Sequence, residues 1–215
     1  MKNFLVSLLL AALSTSSYSA YFDDQLELAK QGDAEAQFNL GTMYNNGEGV
    51  QKDSKTAVMW YTKAAEQGDA YAQYNLGLMY DNGDGVPENG KTAVIWYTKA
   101  AEQGDAEAQF NLGLMYDNGD GVPENDKTAF MWYTKAAKQG HGPSQGNLGV
   151  MYFEGKSVPA NYVKSYVWTS MVKASGDKNA NNNIDLLQEK MTKEQIAKAQ
   201  ELAAKCYASD YKDCN

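Results

Sequence analysis

The sequence repeats itself every 36 residues. Shifted by that distance, the chain aligns with itself without a gap, and two central copies, residues 70–105 and 106–141, differ at only seven positions. The motif Asn-Leu-Gly recurs at this step, and so does every tryptophan: Trp60, Trp96, Trp132 and Trp168. A unit of this size buries its apolar face only against equivalent neighbours. The period therefore predicts a stack of similar units and excludes two unrelated domains.

Each unit has the pattern of two α-helices joined by a glycine turn. The apolar residues of one first helix recur at helical spacing and share a face: Ala72, Leu76, Met79 and Tyr80. Asp69 stands where an N-cap belongs, and Gly83 suits the left-handed residue that ends the helix. Asn89 is predicted to cap the second helix, which Gly104 ends and which buries another stripe: Ala93, Trp96, Tyr97 and Ala100.

These motifs carry a family resemblance. The run Ala-Gln-Tyr-Asn-Leu-Gly-Leu-Met-Tyr-Asp-Asn-Gly-Asp-Gly-Val from Ala72 to Val86, followed by Trp96-Tyr97 and Lys99-Ala100-Ala101, resembles the Sel1-like repeat, a relative of the tetratricopeptide repeat. Four copies are predicted, the last one degenerate: residues 34–69, 70–105, 106–141 and 142–177. The resemblance implies an all-α fold, a right-handed αα-solenoid superhelix, and the family's usual role of binding other proteins.

Different segments flank the repeats. Residues 20–33 are predicted to form an N-terminal half-repeat and residues 178–215 a helical C-terminal cap, because the end units of a solenoid present a polar outer face. Thr192 and Gln195 have the spacing of a capping box. Residues 1–19 have the three-part layout of a secretory signal peptide, which we expect to be cleaved after Ser19. A buried N-terminal helix is the alternative for that segment.

Export would place Cys206 and Cys214 in an oxidising compartment, the periplasm or the extracellular space. A sole pair so close in sequence is predicted to form a disulfide. The alternative is a catalytic thiolate next to Lys205 or Lys212. The apolar run of the signal peptide is too short for a membrane anchor, so no integral membrane segment is predicted after cleavage.

Composition excludes several classes of function. The net charge is −8 and arginine is absent, so the chain lacks a basic surface for nucleic acid. His141 is the single histidine, which excludes metal sites that need two histidines from one chain. We predict that His141 caps a helix, with a general base as the alternative. Asp81 opens a run resembling a calcium loop, but its twelfth position is Thr92 and not glutamate. No metal site and no cofactor is predicted.

An enzymatic alternative also follows from the resemblance. Secreted relatives with a cysteine pair in every repeat are associated with β-lactam binding and hydrolysis, which directs attention to Ser-x-x-Lys signatures. The signature occurs at three places: Ser170/Lys173, Ser175/Lys178 and Ser209/Lys212. The companion Ser-Asp-Asn and Lys-Thr-Gly elements are absent from the sequence, and so are the cysteines within the repeats. The association therefore transfers poorly to this chain.

A second stripe on the first helices is the candidate partner-binding surface. It lies beside the core positions and combines apolar residues with carboxylates: Phe38, Tyr74, Leu78, Asp81, Phe110, Leu114 and Asp117. In the superhelix that the resemblance implies, the first helices line the concave face. Such a ladder suits a peptide with apolar anchors and some positive charge. Packing against the preceding repeat is an equally good explanation of the stripe.

The sequence thus predicts an exported, monomeric interaction module that binds a protein or peptide partner and has no catalytic residues. One alternative is an envelope enzyme or binder that acts on β-lactams or peptidoglycan. Another is a structural accessory of a larger assembly.

Overall fold

The computed structural model describes residues 20–174, 176 and 179–214; the predicted signal peptide, residues 1–19, lies outside them. In this part the chain is all-α, as predicted, and has eleven helices: α1 (residues 20–30), α2 (Ala34–Asn46), α3 (Ser54–Glu66), α4 (Ala70–Asn82), α5 (Gly90–Glu102), α6 (Ala106–Asn118), α7 (Asp126–Ala137), α8 (Gly142–Glu154), α9 (Tyr162–Ala174), α10 (Asn179–Glu189) and α11 (Lys193–Ala208). Across those same residues, no helix is long and apolar enough to cross a membrane.

The helices form two compact units, with the boundary between Gln103 and Gly104. In the first unit, α2 packs on α3, α3 on α4 and α4 on α5. In the second unit, the same consecutive packing runs from α6 to α9, and both α10 and α11 pack on α9. Within each unit, neighbours in sequence are therefore neighbours in space, which is the packing of a solenoid-like array.

The helix ends confirm the predicted caps. The Oδ1 atoms of Asp33, Asp69 and Asp105 each accept a hydrogen bond of 2.7 Å from the backbone N–H three residues later. Gly83 has a φ of 74°, a left-handed conformation that a side chain would strain. Asn89 accepts the corresponding bond at the start of α5, at 3.1 Å. Each cap satisfies a backbone group that has no partner inside its helix.

A glycine in the first helices lets a tyrosine of the second helix approach the backbone. Tyr97 is 0% exposed. A Cβ atom on Gly77 would lie 2.6 Å from Cδ1 of Tyr97, too close for two carbon atoms, so only glycine fits. The same contact joins other pairs of residues in register: Gly41 with Tyr61 and Gly113 with Tyr133.

Replacing Gly77 by alanine is expected to lower the free energy of unfolding by about 1–3 kcal/mol, because the added methyl group overlaps the Tyr97 ring. Gly146 is the matched control, since a Cβ atom there meets nothing closer than Val172 Cγ2, at 4.0 Å. Gly146→Ala is expected to raise the free energy by about 0.5–1 kcal/mol through helix propensity. Urea unfolding followed by circular dichroism measures both variants. Equal effects would contradict the close approach.

Trp96 differs from the prediction of a fully buried stripe. Its neighbours Ala93 and Tyr97 are 0% exposed, whereas Trp96 is only partly buried. One face of its ring contacts Lys99, whose Nζ lies 4.0 Å from the ring centroid. The indole thus combines core packing with a cation–π contact at the surface, which helical spacing alone does not reveal. The equivalent Trp132 is 6% exposed.

The C-terminal segment covers α9. Thr192 and Gln195 form the predicted capping box, with reciprocal hydrogen bonds of 3.2 and 2.9 Å between side chain and backbone. The predicted disulfide between Cys206 and Cys214 is also confirmed, and both cysteines are 0% exposed. The sulfurs belong to the same buried cluster as Trp168, so the disulfide lies inside the core of the second unit.

Candidate protein-interaction surface

In the first unit, the stripe residues are partly buried by tyrosines. The Tyr74 ring lies 6.0 Å from that of Tyr97, and the Phe38 ring lies 5.8 Å from that of Tyr61 and 6.0 Å from that of Tyr71. Leu78 lies one helical turn beyond Tyr74 and is also partly buried. One side of the stripe therefore stabilises helix packing, and the other side remains open to solvent.

The same arrangement recurs in the second unit. The Phe110 ring lies 6.0 Å from Tyr133 and 4.8 Å from the imidazole of His141. Leu114 packs against the same core cluster as Phe110. Both side chains keep part of their surface exposed. The stripe thus has a packing role, and its solvent-exposed part is the candidate surface for a partner.

The carboxylates of the stripe differ in their surroundings. Tyr97 Oη donates to Asp81 at 3.3 Å, and Tyr133 Oη donates to Asp117 at 3.4 Å. Asp117 also forms an ion pair with Lys156, 2.6 Å between Nζ and Oδ1. Burial, together with the nearby negative charge of Asp117, raises the pKa of Tyr133, so its phenol stays protonated and donates.

Lys156 joins two acidic side chains of the preceding repeat. Its Nζ lies 2.6 Å from Asp117 and 3.0 Å from Asp126. The hydrogen bond to Asp117 and the ion pair with Asp126 raise the pKa of the Lys156 ammonium group. The residues that correspond to Lys156 in the three earlier repeats are all acidic: Asp120, Asp84 and Glu48. Lys156 therefore neutralises part of the negative charge on the second unit's stripe.

His141 is the N-cap of α8, as predicted. Its Nδ1 accepts from the backbone N–H of Ser144 at 3.3 Å, and its Nε2 lies 3.3 Å from the Glu107 carboxylate. A proton on Nε2 satisfies both contacts, because Nδ1 accepts while Nε2 donates to Glu107. The side chain thus joins the start of α8 to α6 within the second unit.

The Ser-x-x-Lys serines of the described chain hydrogen-bond to the backbone. Ser170 Oγ donates to the carbonyl of Tyr166 at 2.8 Å, and Ser209 Oγ donates to that of Cys206 at 3.0 Å. The third pair, Ser175/Lys178, lies outside the described residues. Among residues 20–174, 176 and 179–214, no group of three acidic, histidine or cysteine side chains is placed to hold a metal ion.

A pocket in the fourth repeat was not predicted. It has a volume of about 360 Å³ and lies between α8, α9 and α10, with Gly149 and Thr169 in its lining. Its border carries exposed apolar side chains: Val150, Phe153 and Leu186. In the sequence, Gly146 and Thr169 stand where the earlier repeats have aromatic residues. Only the packing of the two helices shows that this loss leaves a pocket.

The Sel1 repeat model matches residues 34–69, 70–105, 106–141 and 142–171. The chain belongs to the Sel1 repeat family. A solved Sel1 repeat protein from Oxalobacter formigenes is 34% identical with a TM-score of 0.75, and the alignment covers 84% of this chain and 73% of that one. The resemblance seen in the repeat motif is therefore confirmed. No curated protein matches the chain by sequence.

More distant solved structures were also found. The protective antigen c5321 of uropathogenic Escherichia coli, described as an SLR fold, is 27% identical with a TM-score of 0.47, over 90% of this chain and 57% of that one. The immunity protein Pa5087 from Pseudomonas aeruginosa is 23% identical with a TM-score of 0.48, over 90% of this chain and 73% of that one.

Buried glutamines connect the Sel1 repeats, and they were not among the predicted residues. Gln73 is 4% exposed and donates to the carbonyl of Ala65 at 3.0 Å. Gln103 in turn donates to Gln73 at 2.8 Å and to the carbonyl of Gly68 at 2.9 Å. Equivalent pairs recur in register: Gln67 with Gln37 and Gln139 with Gln109. These glutamines recur at a constant step of 36 residues, which was the available signal of a structural role. Buried amides need hydrogen-bond partners, and each repeat supplies them in the same way.

Proposed function

We propose that this Sel1 repeat protein is an exported, monomeric interaction module that binds a protein or peptide partner along the exposed side of the first-helix stripe, and that it binds without catalysis. Members of the family typically serve as protein-interaction scaffolds, which supports the general role. The observation that carries the proposal is the repeated triplet of an aromatic residue, a leucine and an aspartate: Tyr74, Leu78 and Asp81, then Phe110, Leu114 and Asp117.

Charge favours a basic partner. The chain has a net charge of −8, and a carboxylate borders the apolar stripe in the second and third repeats. Asp81 would attract a lysine or arginine side chain next to an apolar anchor, whereas Asp117 would have to exchange its ion pair with Lys156 for one with the partner. The buried disulfide between Cys206 and Cys214 supports export, because such bonds persist in oxidising compartments. Localisation to the periplasm or the extracellular space is part of the proposal.

Replacing Leu78 and Leu114 by lysine is expected to abolish partner capture by crosslinking from a periplasmic fraction, with the helical circular dichroism and melting temperature nearly intact. Both leucines keep part of their surface exposed, so a lysine at either position can keep its ammonium group in water and the fold is preserved. The positive charge would have to be desolvated against the partner and would repel a basic one. Ile95→Lys and Met131→Lys are the matched controls. These side chains are 55% and 43% exposed on second helices, and their replacement should leave capture unchanged.

Alanine at Asp81 is expected mainly to slow association, with an effect that shrinks as salt rises. Alanine at Asp117 should slow association less, because Lys156 already neutralises that carboxylate. If the leucine variants instead unfold, the stripe serves inter-helix packing alone and the proposed surface is wrong.

A further inference from the structure

Three repeats fill the space between their two helices with a pair of aromatic rings, and the fourth repeat lacks both rings. The ring centroids of each pair lie 5.8–6.0 Å apart: Phe38 with Tyr61, Tyr74 with Tyr97, and Phe110 with Tyr133. In register, the fourth repeat has Gly146 and Thr169 instead. Gly149, which corresponds to the glycine beneath each tyrosine ring, is nevertheless retained.

The pocket occupies the place of the missing rings. Its volume of about 360 Å³ falls in the range of small ligand sites, roughly 300–1,000 Å³. Gly146, Gly149 and Thr169 all contribute to its lining, and a Cβ atom on Gly146 would have 4.0 Å to its nearest neighbour. Ser165 Oγ donates to the carbonyl of Gly149 at 2.7 Å, so these two polar groups are paired. Thr169 and Asn183 add polar side chains to a lining that is otherwise mainly apolar.

The border of the pocket supports docking of a larger molecule. Val150 is 52% exposed, Phe153 is 36% exposed and Leu186 is 55% exposed, although all three are apolar. Exposed apolar side chains around a concave site are typical of binding surfaces. Among the described lining residues, the one charged side chain is Glu154. The pocket thus offers a mainly apolar interior with the Glu154 carboxylate at its edge, and Lys190 Nζ lies 5.8 Å from the ring centroid of Phe153 at the border.

We propose that this pocket takes an aromatic side chain, tyrosine or phenylalanine, from a partner segment that carries a lysine or arginine beside it. The aromatic ring replaces the pair that the fourth repeat lacks, and the basic residue pairs with Glu154. The inference rests on the proposed function in one respect, because the aromatic segment is supplied by the proposed protein or peptide partner. The shape and charge of the pocket are independent of that function.

Titration of the ¹⁵N-labelled protein with the peptide acetyl-Gly-Tyr-Lys-Gly-amide tests the pocket directly. The amide signals of Gly146, Gly149 and Thr169 are expected to shift, and acetyl-Gly-Ala-Lys-Gly-amide should bind at least tenfold more weakly. Equal binding of the two peptides, or shifts located elsewhere, would overturn the proposal.

Two variants sharpen the test. The double variant Gly146→Phe/Thr169→Tyr restores the ring pair, so it should melt at a higher temperature and bind the tyrosine peptide at least tenfold more weakly. Glu154→Lys leaves the pocket interior unchanged and should reverse the preference, so that acetyl-Gly-Tyr-Glu-Gly-amide binds better than the lysine peptide. Met131→Ser, at a side chain 43% exposed and outside the pocket lining, is the control and should bind like the parent chain. Unaltered binding by both pocket variants refutes the site.

The outcomes separate this inference from the proposed function. If the peptide binds as expected but crosslinking captures no partner, the pocket stands and the interaction role fails. If a partner is captured through Leu78 and Leu114 while the tyrosine peptide does not bind, the pocket inference alone fails. Sedimentation at rising protein concentration tests whether a second copy of the chain occupies the pocket. Self-association that the Gly146→Phe/Thr169→Tyr variant abolishes would assign the pocket to that second copy and overturn the proposal.

Discussion

Deletion of residues 179–215 is expected to convert the protein into aggregating material. The deleted helices α10 and α11 both pack on α9. Their side chains, among them Ile184 and Leu187, form one buried cluster with Tyr166, and Cys206 belongs to a second cluster with Trp168. Removing them would expose an apolar helix face at the end of the second unit, where solenoids need a polar cap. Size-exclusion chromatography with light scattering measures the outcome.

The disulfide variant provides the control for this deletion. Cys206→Ser/Cys214→Ser keeps both helices but opens a loop whose ends are eight residues apart in sequence. Loss of that crosslink should cost about 2–3 kcal/mol of unfolding free energy and leave the protein monodisperse. Monodisperse, fully helical material from the deletion itself would show that the segment is dispensable and that the capping argument is wrong.

Trp132→Ala is expected to lower the free energy of unfolding by about 3–5 kcal/mol, because it empties a large buried volume that the helices cannot close. Trp132 is 6% exposed. Trp96→Ala should cost less, since Trp96 is only partly buried. The adjacent Met131 is 43% exposed, and Met131→Ala should change the free energy by less than about 0.5 kcal/mol. Urea titration of all three variants measures the differences.

A different result for Trp132 would have a clear meaning. If stability were unchanged while partner capture disappeared, the indole would be a recognition residue and the core would have been assigned to the wrong helix face. The lysine contact supports the core assignment: Lys135 Nζ lies 4.0 Å from the ring centroid and covers part of the surface that remains open.

Local features of the repeat were predictable residue by residue. The caps at Asp69 and Asn89 and the glycine end at Gly83 depend on backbone groups within a few residues, so spacing along the chain is enough to identify them. The capping box at Thr192 follows the same logic. Burial of Trp96 was predicted less well, because the exposed fraction of a large ring depends on what surrounds it and not only on its place in the helical period.

The 36-residue period, the pairing of helices within each repeat and the disulfide candidates were predictable, because they depend on residue type and on spacing along one chain. The ion pair of Lys156 with Asp117 and the pocket that Gly146 and Thr169 share became visible only once the helices were packed. In both places, side chains from different helices meet. Whether they form an ion pair or leave a pocket depends on distances of a few ångströms between helices, which spacing along the chain does not contain.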